Sequence, residues 1–161
     1  MTQRKQPDYS KVIIYKIVCN DLSINQIYVG STIDFNARKY RHKHRCKKAD
    51  NNAFNYKLYK FINEHGGWQN FTMVEIEKFR CNDRREAFAR ERYWFEKLNI
   101  EKLNVLKPLH NNNEYDNYLM KWETEPVKHD DLKFETYYEK NKEERLEYFK
   151  KKYNEKKNIS L

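Results

Sequence analysis

Two short apolar segments separated by a polar turn constrain the fold of this chain more than any other feature. Residues 11–20 (KVIIYKIVCN) and 26–30 (QIYVG) are rich in β-branched and aromatic side chains, and Asn20, Asp21 and Ser23 lie between them. This pattern is typical of two strands joined by a turn. Because side chains alternate along a strand, Tyr15 is expected on the face opposite to its neighbours in sequence. The sequence therefore predicts an antiparallel hairpin near the N-terminus.

Helical periodicity follows the hairpin. Ser31 or Thr32 can cap a first helix that runs to about Lys47, and a second helix is expected to end at Gly66 and Gly67. The inner stripe of the first helix is formed by side chains at helical spacing: Phe35, Arg38 or Lys39, His42 and Cys46.

A third strand and a third helix complete the first 110 residues. Residues 71–76 (FTMVEI) alternate as a strand, and Asp83 with Glu86 resembles a capping box at a helix start. The order β-β-α-α-β-α predicts an α+β (mixed α/β) fold, with a small three-stranded antiparallel sheet flanked by helices. The inner stripe expected for the third helix is Ala87, Phe88, Glu91, Trp94, Phe95 and Leu98.

Changes in composition suggest where the domain ends. Residues 1–10 are polar and are expected to be disordered. Residues 11–108 are expected to form one domain, and residues 109–131 a linker that begins with a polar break. Residues 132–161 are expected to form a charged, mostly helical C-terminal extension, which docks on the domain, orders on a partner, or stays solvated.

Positive charge is concentrated in one part of the chain. The whole chain carries a net charge of +9, and residues 38–48 (RKYRHKHRCKK) contain seven basic residues and no acidic one. Such a patch attracts polyanions, which makes nucleic acid the leading partner, although a merely solvated helix face remains the alternative.

Glu91 is the carboxylate whose position is hardest to explain by packing. It lies within the apolar stripe of the third helix, so we expect it to face inward or into a cleft. A carboxylate removed from water needs an ion pair or a metal ion. The sequence leaves both options open, because four arginines lie close to it: Arg84, Arg85, Arg90 and Arg92.

Two short motifs and four further residues resemble the GIY-YIG nuclease superfamily. The motifs appear as Ile13-Ile14-Tyr15 and Tyr28-Val29-Gly30, and residues 27–44 are particularly similar to the homing-endonuclease branch. The first glycine of the family name is replaced by Ile13, and Asn51, Asn52 and Ala53 occupy the region where some homing members have a second histidine. The resemblance covers residues 11–107, and its further positions are Arg38, His42, Glu91 and Asn104.

The resemblance implies one-metal hydrolysis of a phosphodiester in DNA. Glu91 would hold Mg²⁺ or Mn²⁺, and Arg38 would bind a phosphate oxygen. Tyr15, Tyr28 or His42 would accept the proton of the attacking water, and Asn104 would support the site by hydrogen bonding. Backbone contacts with DNA, expected to be double-stranded, would come from the remaining basic residues of the first helix and its end: Lys39, Arg41, Lys43, Arg45, Lys47 and Lys48.

The sequence is also compatible with other functions. A nuclease that recognises branches or flaps during repair or recombination, and a DNA-binding module without activity, are the alternatives to a homing or mobile-element endonuclease. A zinc site at His42, His44 and Cys46 is disfavoured, because no second ligand pair lies at zinc-finger spacing. The C-terminal 50 residues would supply further DNA contacts or the surface of a homodimer.

The composition also predicts where the protein works. No run of 18 apolar residues and no signal peptide is visible, and the three cysteines form no C-x-x-C pair. We therefore expect no membrane partner and an intracellular, soluble protein, acting in a nucleus or where viral or mobile-element DNA is replicated.

Overall fold

The computed structural model describes residues 6–47, 56–98 and 100–124. Within these ranges the chain forms an α+β fold with a three-stranded antiparallel sheet, which confirms the fold class predicted from the sequence. The elements follow in this order: β1 (Val12–Cys19), β2 (Ile27–Thr32), α1 (Phe35–Lys47), α2 (Lys57–Glu64), β3 (Phe71–Phe79), α3 (Arg84–Lys97) and α4 (Asn112–Thr124).

The sheet has the order β2-β1-β3, so the predicted hairpin is one half of it. Tyr15 pairs with Gly30 and Ile17 with Tyr28, which places the two tyrosines diagonally on one face. Against β3, the register shifts between Ile14 and Tyr15, which are both fully buried. The hairpin therefore sets the relative position of the two motif tyrosines.

Each face of the sheet packs against its own set of helices. On one face, Tyr15 and Ile17 pack with Cys46 of α1, Ile62 of α2 and further apolar residues. On the other face, side chains of all three strands pack with Ala87 and Trp94 of α3 and with Trp122 of α4: Val12, Ile14, Ile27, Val29 and Phe79. The alternation seen in the sequence thus reflects a sheet that is covered on both sides.

The start of α1 differs from the prediction. Ser31 and Thr32 belong to β2, and the side chain of Asp34 accepts a hydrogen bond from Ala37 N at 2.9 Å. The strand continues two residues beyond Gly30 because Ser31 and Thr32 pair with β1. In contrast, Asp83 caps α3 as expected, since its side chain accepts from Glu86 N at 2.9 Å.

The inner stripe predicted for α3 is only partly correct. Ala87 is buried, but Phe88 and Trp94 are only partly buried, whereas Arg90 and Arg92 are buried. The reason is that α3 packs against the sheet on one side and meets α4 on another, so charged residues with partners occupy buried positions.

The prediction of a linker over residues 109–131 is wrong for the part that the structure describes, because α4 occupies Asn112–Thr124. Arg92 ties its start to α3 by donating to Leu109 O at 2.9 Å and to Asn112 Oδ1 at 2.8 Å. Trp122 contacts the ring of Phe79 with centroids 5.7 Å apart. The polar composition of this segment did not indicate a helix, because only a few aromatic residues of α4 pack against the rest of the fold.

The two ends of the chain complete the comparison with the predicted domain boundaries. Tyr9, in the segment expected to be disordered, lies in a short 3-10 turn, and its carbonyl accepts from Cys81 N at 3.2 Å. Residues 1–5 and the extension 132–161 lie outside the described residues. Among the residues that are described, no helix is long and apolar enough to cross a membrane.

Candidate active site

The candidate site lies around the edge of β2 that points away from β1. Tyr28 and Gly30 face α1, while Ser31, one residue further on, faces α3. The Ser31 hydroxyl donates to Glu91 Oε2 at 2.6 Å. The alternation of a single strand therefore brings residues from both layers of helices to one place.

A buried chain of hydrogen bonds connects three elements behind this edge. Tyr15 Oη and His42 Nε2 are 2.9 Å apart, and His42 Nδ1 lies 2.9 Å from Tyr59 Oη. Arg38 Nε donates to Tyr15 Oη at 2.8 Å. Both ring nitrogens of His42 are therefore within hydrogen-bonding distance of a tyrosine hydroxyl. This series of hydrogen bonds holds the Arg38 guanidinium in a defined position.

Gly30 has a packing role in the site. A methyl group at this position would lie 2.6 Å from Cζ and Oη of Tyr15 and 2.9 Å from Cε1 of Tyr28. The ring centroids of the two tyrosines are 6.2 Å apart. The glycine of the second motif is therefore required because the Tyr15 ring lies directly over the strand backbone.

Burial determines the protonation of the aromatic groups. Burial raises the pKa of Tyr15 and of Tyr28 above the usual value, and the charge of Arg38 opposes this rise in both. Burial, together with the positive charges of Arg38, Arg45 and Arg41, lowers the pKa of His42 to about 3. Near neutral pH, the site therefore contains two protonated tyrosines and a neutral histidine.

Glu91 is the carboxylate among these groups, and its charged form is the one that a bound metal cation would stabilise directly. Burial raises the pKa of Glu91 to about 7, while the hydrogen bond from Ser31 and the charge of Arg38 oppose the rise. Three of the neighbouring arginines pair with other carboxylates: Arg90 with Glu77, Arg92 with Glu96 and Arg85 with Glu114. These three therefore do not form the ion pair with Glu91 that the sequence left open.

The donor set around Glu91 fits a hard divalent cation. Carboxylate and hydroxyl oxygens suit Mg²⁺ or Mn²⁺, and a site with one carboxylate leaves the other positions to water and phosphate. Among the described residues, no group of three or more His, Cys, Asp and Glu side chains could hold a metal ion. His42 is within hydrogen-bonding distance of two tyrosines, and Cys46 packs in the core.

Asn104 acts on the backbone of β2. Its Oδ1 accepts from Val29 N at 2.9 Å and its Nδ2 donates to Val29 O at 2.7 Å. This pair of bonds fixes the strand between Tyr28 and Gly30. Asn104 therefore holds the backbone of β2 next to Tyr28.

A cleft of about 780 Å³ lies in front of this edge. Tyr28, Arg38 and Glu91 line it together with Tyr59, whereas Tyr15 and His42 lie behind its wall. Four other basic side chains also line it: Arg45, Arg84, Arg85 and Lys107. The cleft thus combines two carboxylates, Glu91 and Glu114, with several cations.

The basic residues of α1 occupy two environments. Arg45 is partly buried and lines the cleft, while the others that the structure describes are exposed on the helix: Lys39, Arg41, Lys43 and Lys47. Lys48 lies outside the described residues. Of the predicted DNA-contacting residues that the structure describes, only Arg45 lines the cleft.

Sequence reasoning did not single out three residues that the structure adds to the site. Tyr59 bonds to His42, Trp68 stacks on the His42 ring with centroids 6.1 Å apart, and Ser31 bonds to Glu91. Tyr59 lies in the predicted second helix, but no motif marked it as a residue of the site. Ser31 had been noted only as a helix cap.

Comparison with known proteins gives the class of the molecule. The family model described as the GIY-YIG catalytic domain matches residues 11–104. The chain therefore belongs to the GIY-YIG family and is a nuclease of that superfamily. No curated protein and no solved structure matches the chain.

Proposed function

We propose that this protein is a metal-dependent DNA endonuclease that hydrolyses phosphodiester bonds with one divalent metal ion. The observation that carries the proposal is the meeting of Tyr28, Arg38 and Glu91 in one cleft at the edge of β2. These groups supply a proton acceptor, a phosphate-binding cation and a metal-binding carboxylate, which are the parts that the reaction requires.

Each residue of the cleft has a distinct role in this proposal. Arg38 binds a non-bridging phosphate oxygen and stabilises the charge that develops in the transition state. Tyr15 holds Arg38 in place, and His42 orients Tyr15. Tyr28 lines the cleft, so it is the tyrosine that receives the proton of the attacking water.

The metal ion explains how Tyr28 could serve as a base. A Mg²⁺ or Mn²⁺ ion held by Glu91 would polarise the scissile phosphate and stabilise the leaving 3′ oxygen. Because burial raises the pKa of Tyr28, the residue needs nearby positive charge before it can accept a proton, and Arg38 contributes part of it.

The exposed face of α1 is the proposed surface for double-stranded DNA. Its lysines and arginines are exposed to solvent, and Arg45 of the same helix lines the cleft. Their contacts with phosphates would give affinity with little sequence information. The similarity of residues 27–44 to the homing branch favours an enzyme of the homing or mobile-element kind over a repair nuclease that recognises branches or flaps.

The test is cleavage of supercoiled plasmid, and of branched and flapped duplexes, with Mg²⁺ or Mn²⁺ and with EDTA as the control. We expect nicking or linearisation that requires the metal. Glu91→Gln and Arg38→Gln should each reduce the rate by at least about a hundredfold, because each removes a group that acts on the transition state.

Two matched variants control for the loss of charge. Glu64→Gln and Arg80→Gln change exposed side chains that do not line the cleft, and both should cut as fast as the wild type. Salt-sensitive binding without cleavage of any substrate would instead identify a DNA-binding module without activity. Preferential cutting at branches or flaps would favour the repair-type alternative.

A further inference from the structure

Helix α3 lines the cleft with more than its metal-binding carboxylate. Arg84, Phe88 and Glu91 lie at positions i, i+4 and i+7, so they form one stripe on the helix, and all three line the cleft. At 1.5 Å per residue, Arg84 and Glu91 are separated by about 10.5 Å along the helix axis. The stripe therefore extends the site two helical turns away from Glu91.

Arg84 differs from the other arginines of this helix. Arg85, Arg90 and Arg92 each form an ion pair with a carboxylate. Within residues 6–47, 56–98 and 100–124, Arg84 forms none, and its guanidinium lies over the ring of Phe88 at 4.9 Å from the centroid. It is an exposed cation whose orientation is restrained by an aromatic ring.

The charges around Arg84 indicate what it can bind. The cleft has two acidic side chains in its lining, Glu91 and Glu114, and Glu114 is already bonded to Arg85. The remaining charged groups of the lining are cations: Arg38, Arg45, Arg84, Arg85 and Lys107. An exposed arginine whose guanidinium is placed over a ring is suited to phosphate oxygens.

We propose that Arg84 binds a phosphate that flanks the scissile phosphate on the DNA strand being cut. This inference rests on the proposed function and extends it to a second phosphate site. Because each nucleotide advances a strand by about 3.4 Å along the duplex axis, the bound phosphate lies within about three nucleotides of the cut. Arg84 then fixes the register of the strand, and Arg38 acts on the phosphate that reacts.

The experiment replaces single phosphates by neutral methylphosphonates. The substrate is a duplex, or a branched DNA if that is what the enzyme cuts, centred on a cleavage site mapped in the assay above. The phosphates on both sides of the cut are replaced one at a time, and kcat/KM is measured for the wild type and for Arg84→Gln. Arg80→Gln, an exposed arginine outside the cleft, is the matched control for charge.

The expected result is a coupling between one residue and one phosphate. The wild type and Arg80→Gln should lose about tenfold in kcat/KM when one phosphate within three nucleotides of the cut is neutralised, as expected for a charged hydrogen bond. Arg84→Gln should be about tenfold slower on unmodified DNA and should lose nothing more at that position. Its losses at the other positions should match those of the wild type.

Two results would overturn the inference while leaving the nuclease assignment intact. Either Arg84→Gln cuts as fast as the wild type, or it is slower but keeps every methylphosphonate penalty, which would mean that Arg84 acts only on the structure of the protein. A wild-type protein that cuts no DNA at all overturns the proposed function, and the inference with it.

Discussion

At the scale of single residues, His42 shows how the surroundings define a functional group. It contacts Tyr15 from β1 and Tyr59 from α2, and the arginines near it on its own helix are Arg38, Arg41 and Arg45. Its side chain is buried, both ring nitrogens are within hydrogen-bonding distance of a hydroxyl, and burial lowers its pKa to about 3. A histidine in this environment stays neutral where a free histidine would already be charged.

The pH dependence of stability should reveal this neutral histidine. Between about pH 6.5 and pH 3, the unfolded chain binds a proton on residue 42 that the folded chain does not, so the free energy of unfolding falls as the pH falls. Within this window the free energy of unfolding falls by about 1.4 kcal/mol for each unit that the pH falls, and above the window the stability contributed by the neutral histidine is fully present. Replacing His42 by Gln should flatten the curve by this amount.

The measurement is chemical denaturation of both proteins at several pH values from 7 to 4. The carboxylates titrate in both proteins, so their effect cancels in the difference. Parallel curves for the two proteins would show that His42 is protonated in the folded state.

Local patterns in the sequence selected the residues of the candidate site but not their partners. Tyr15, Tyr28, Arg38 and Glu91 could be selected because each lies in a recognisable motif or stripe. The bond between Ser31 and Glu91 joins residues 60 positions apart, and the bond between His42 and Tyr59 joins residues 17 apart. Such pairs depend on how strands and helices pack, which periodicity within one element does not encode.

At the scale of elements, a buried ion pair joins β3 to α3. Arg90 donates two hydrogen bonds to Glu77, at 2.7 and 2.8 Å, and both side chains are almost fully buried. The Arg90 guanidinium also lies within 4.4 Å of the Tyr93 ring centroid and 5.1 Å of that of Trp122 in α4. The pair therefore connects the sheet with both helices on this face.

Removing one partner of this pair should cost far more than removing both. Glu77→Met leaves the charge of Arg90 buried, so we expect a loss of about 3–5 kcal/mol in the free energy of unfolding. The double variant with Arg90→Met should recover most of this loss, because two apolar side chains can fill the same space. Urea denaturation of the wild type, both single variants and the double variant measures the coupling; additive losses would argue against it.

The elements that the sequence predicted least well are those with the fewest apolar residues. The strands and α1 to α3 were found from their periodicity, but α4 was assigned to a linker. Its packing depends on single large side chains, such as Tyr115 under the guanidinium of Arg92 at 4.0 Å and Trp122 against Phe79. A few such contacts are enough to dock a helix, yet they leave no stripe in the sequence.

At the scale of the whole molecule, charge is distributed to favour contact with a polyanion. The chain carries 33 Lys and Arg against 24 Asp and Glu, and residues 38–48 contribute much of the excess. On the described part of α1, most of these side chains point into solvent. Attraction of this kind acts before any specific contact forms.

Binding of DNA should therefore depend steeply on salt. Each phosphate neutralised by the protein releases counterions, and the logarithm of the binding constant should fall with a slope of about −0.9 per phosphate contact on duplex DNA. Fluorescence anisotropy in EDTA, at several salt concentrations, measures this slope without cleavage. Lys39→Gln combined with Lys43→Gln should reduce its magnitude by about two, whereas a binding constant insensitive to salt would exclude the role proposed for α1.

The segment that follows α3 has a consequence for the solubility of the fold. Ile27 N donates to Glu101 O at 3.0 Å and Leu103 N donates to Ile27 O at 2.7 Å, and Asn104 continues this pairing at Val29. The outer edge of β2 is thus closed by the chain itself over the residues next to Tyr28. A fragment ending at residue 100 would keep β1, β2, α1 and α3, yet it would leave this edge open to strands of other molecules and prone to aggregation.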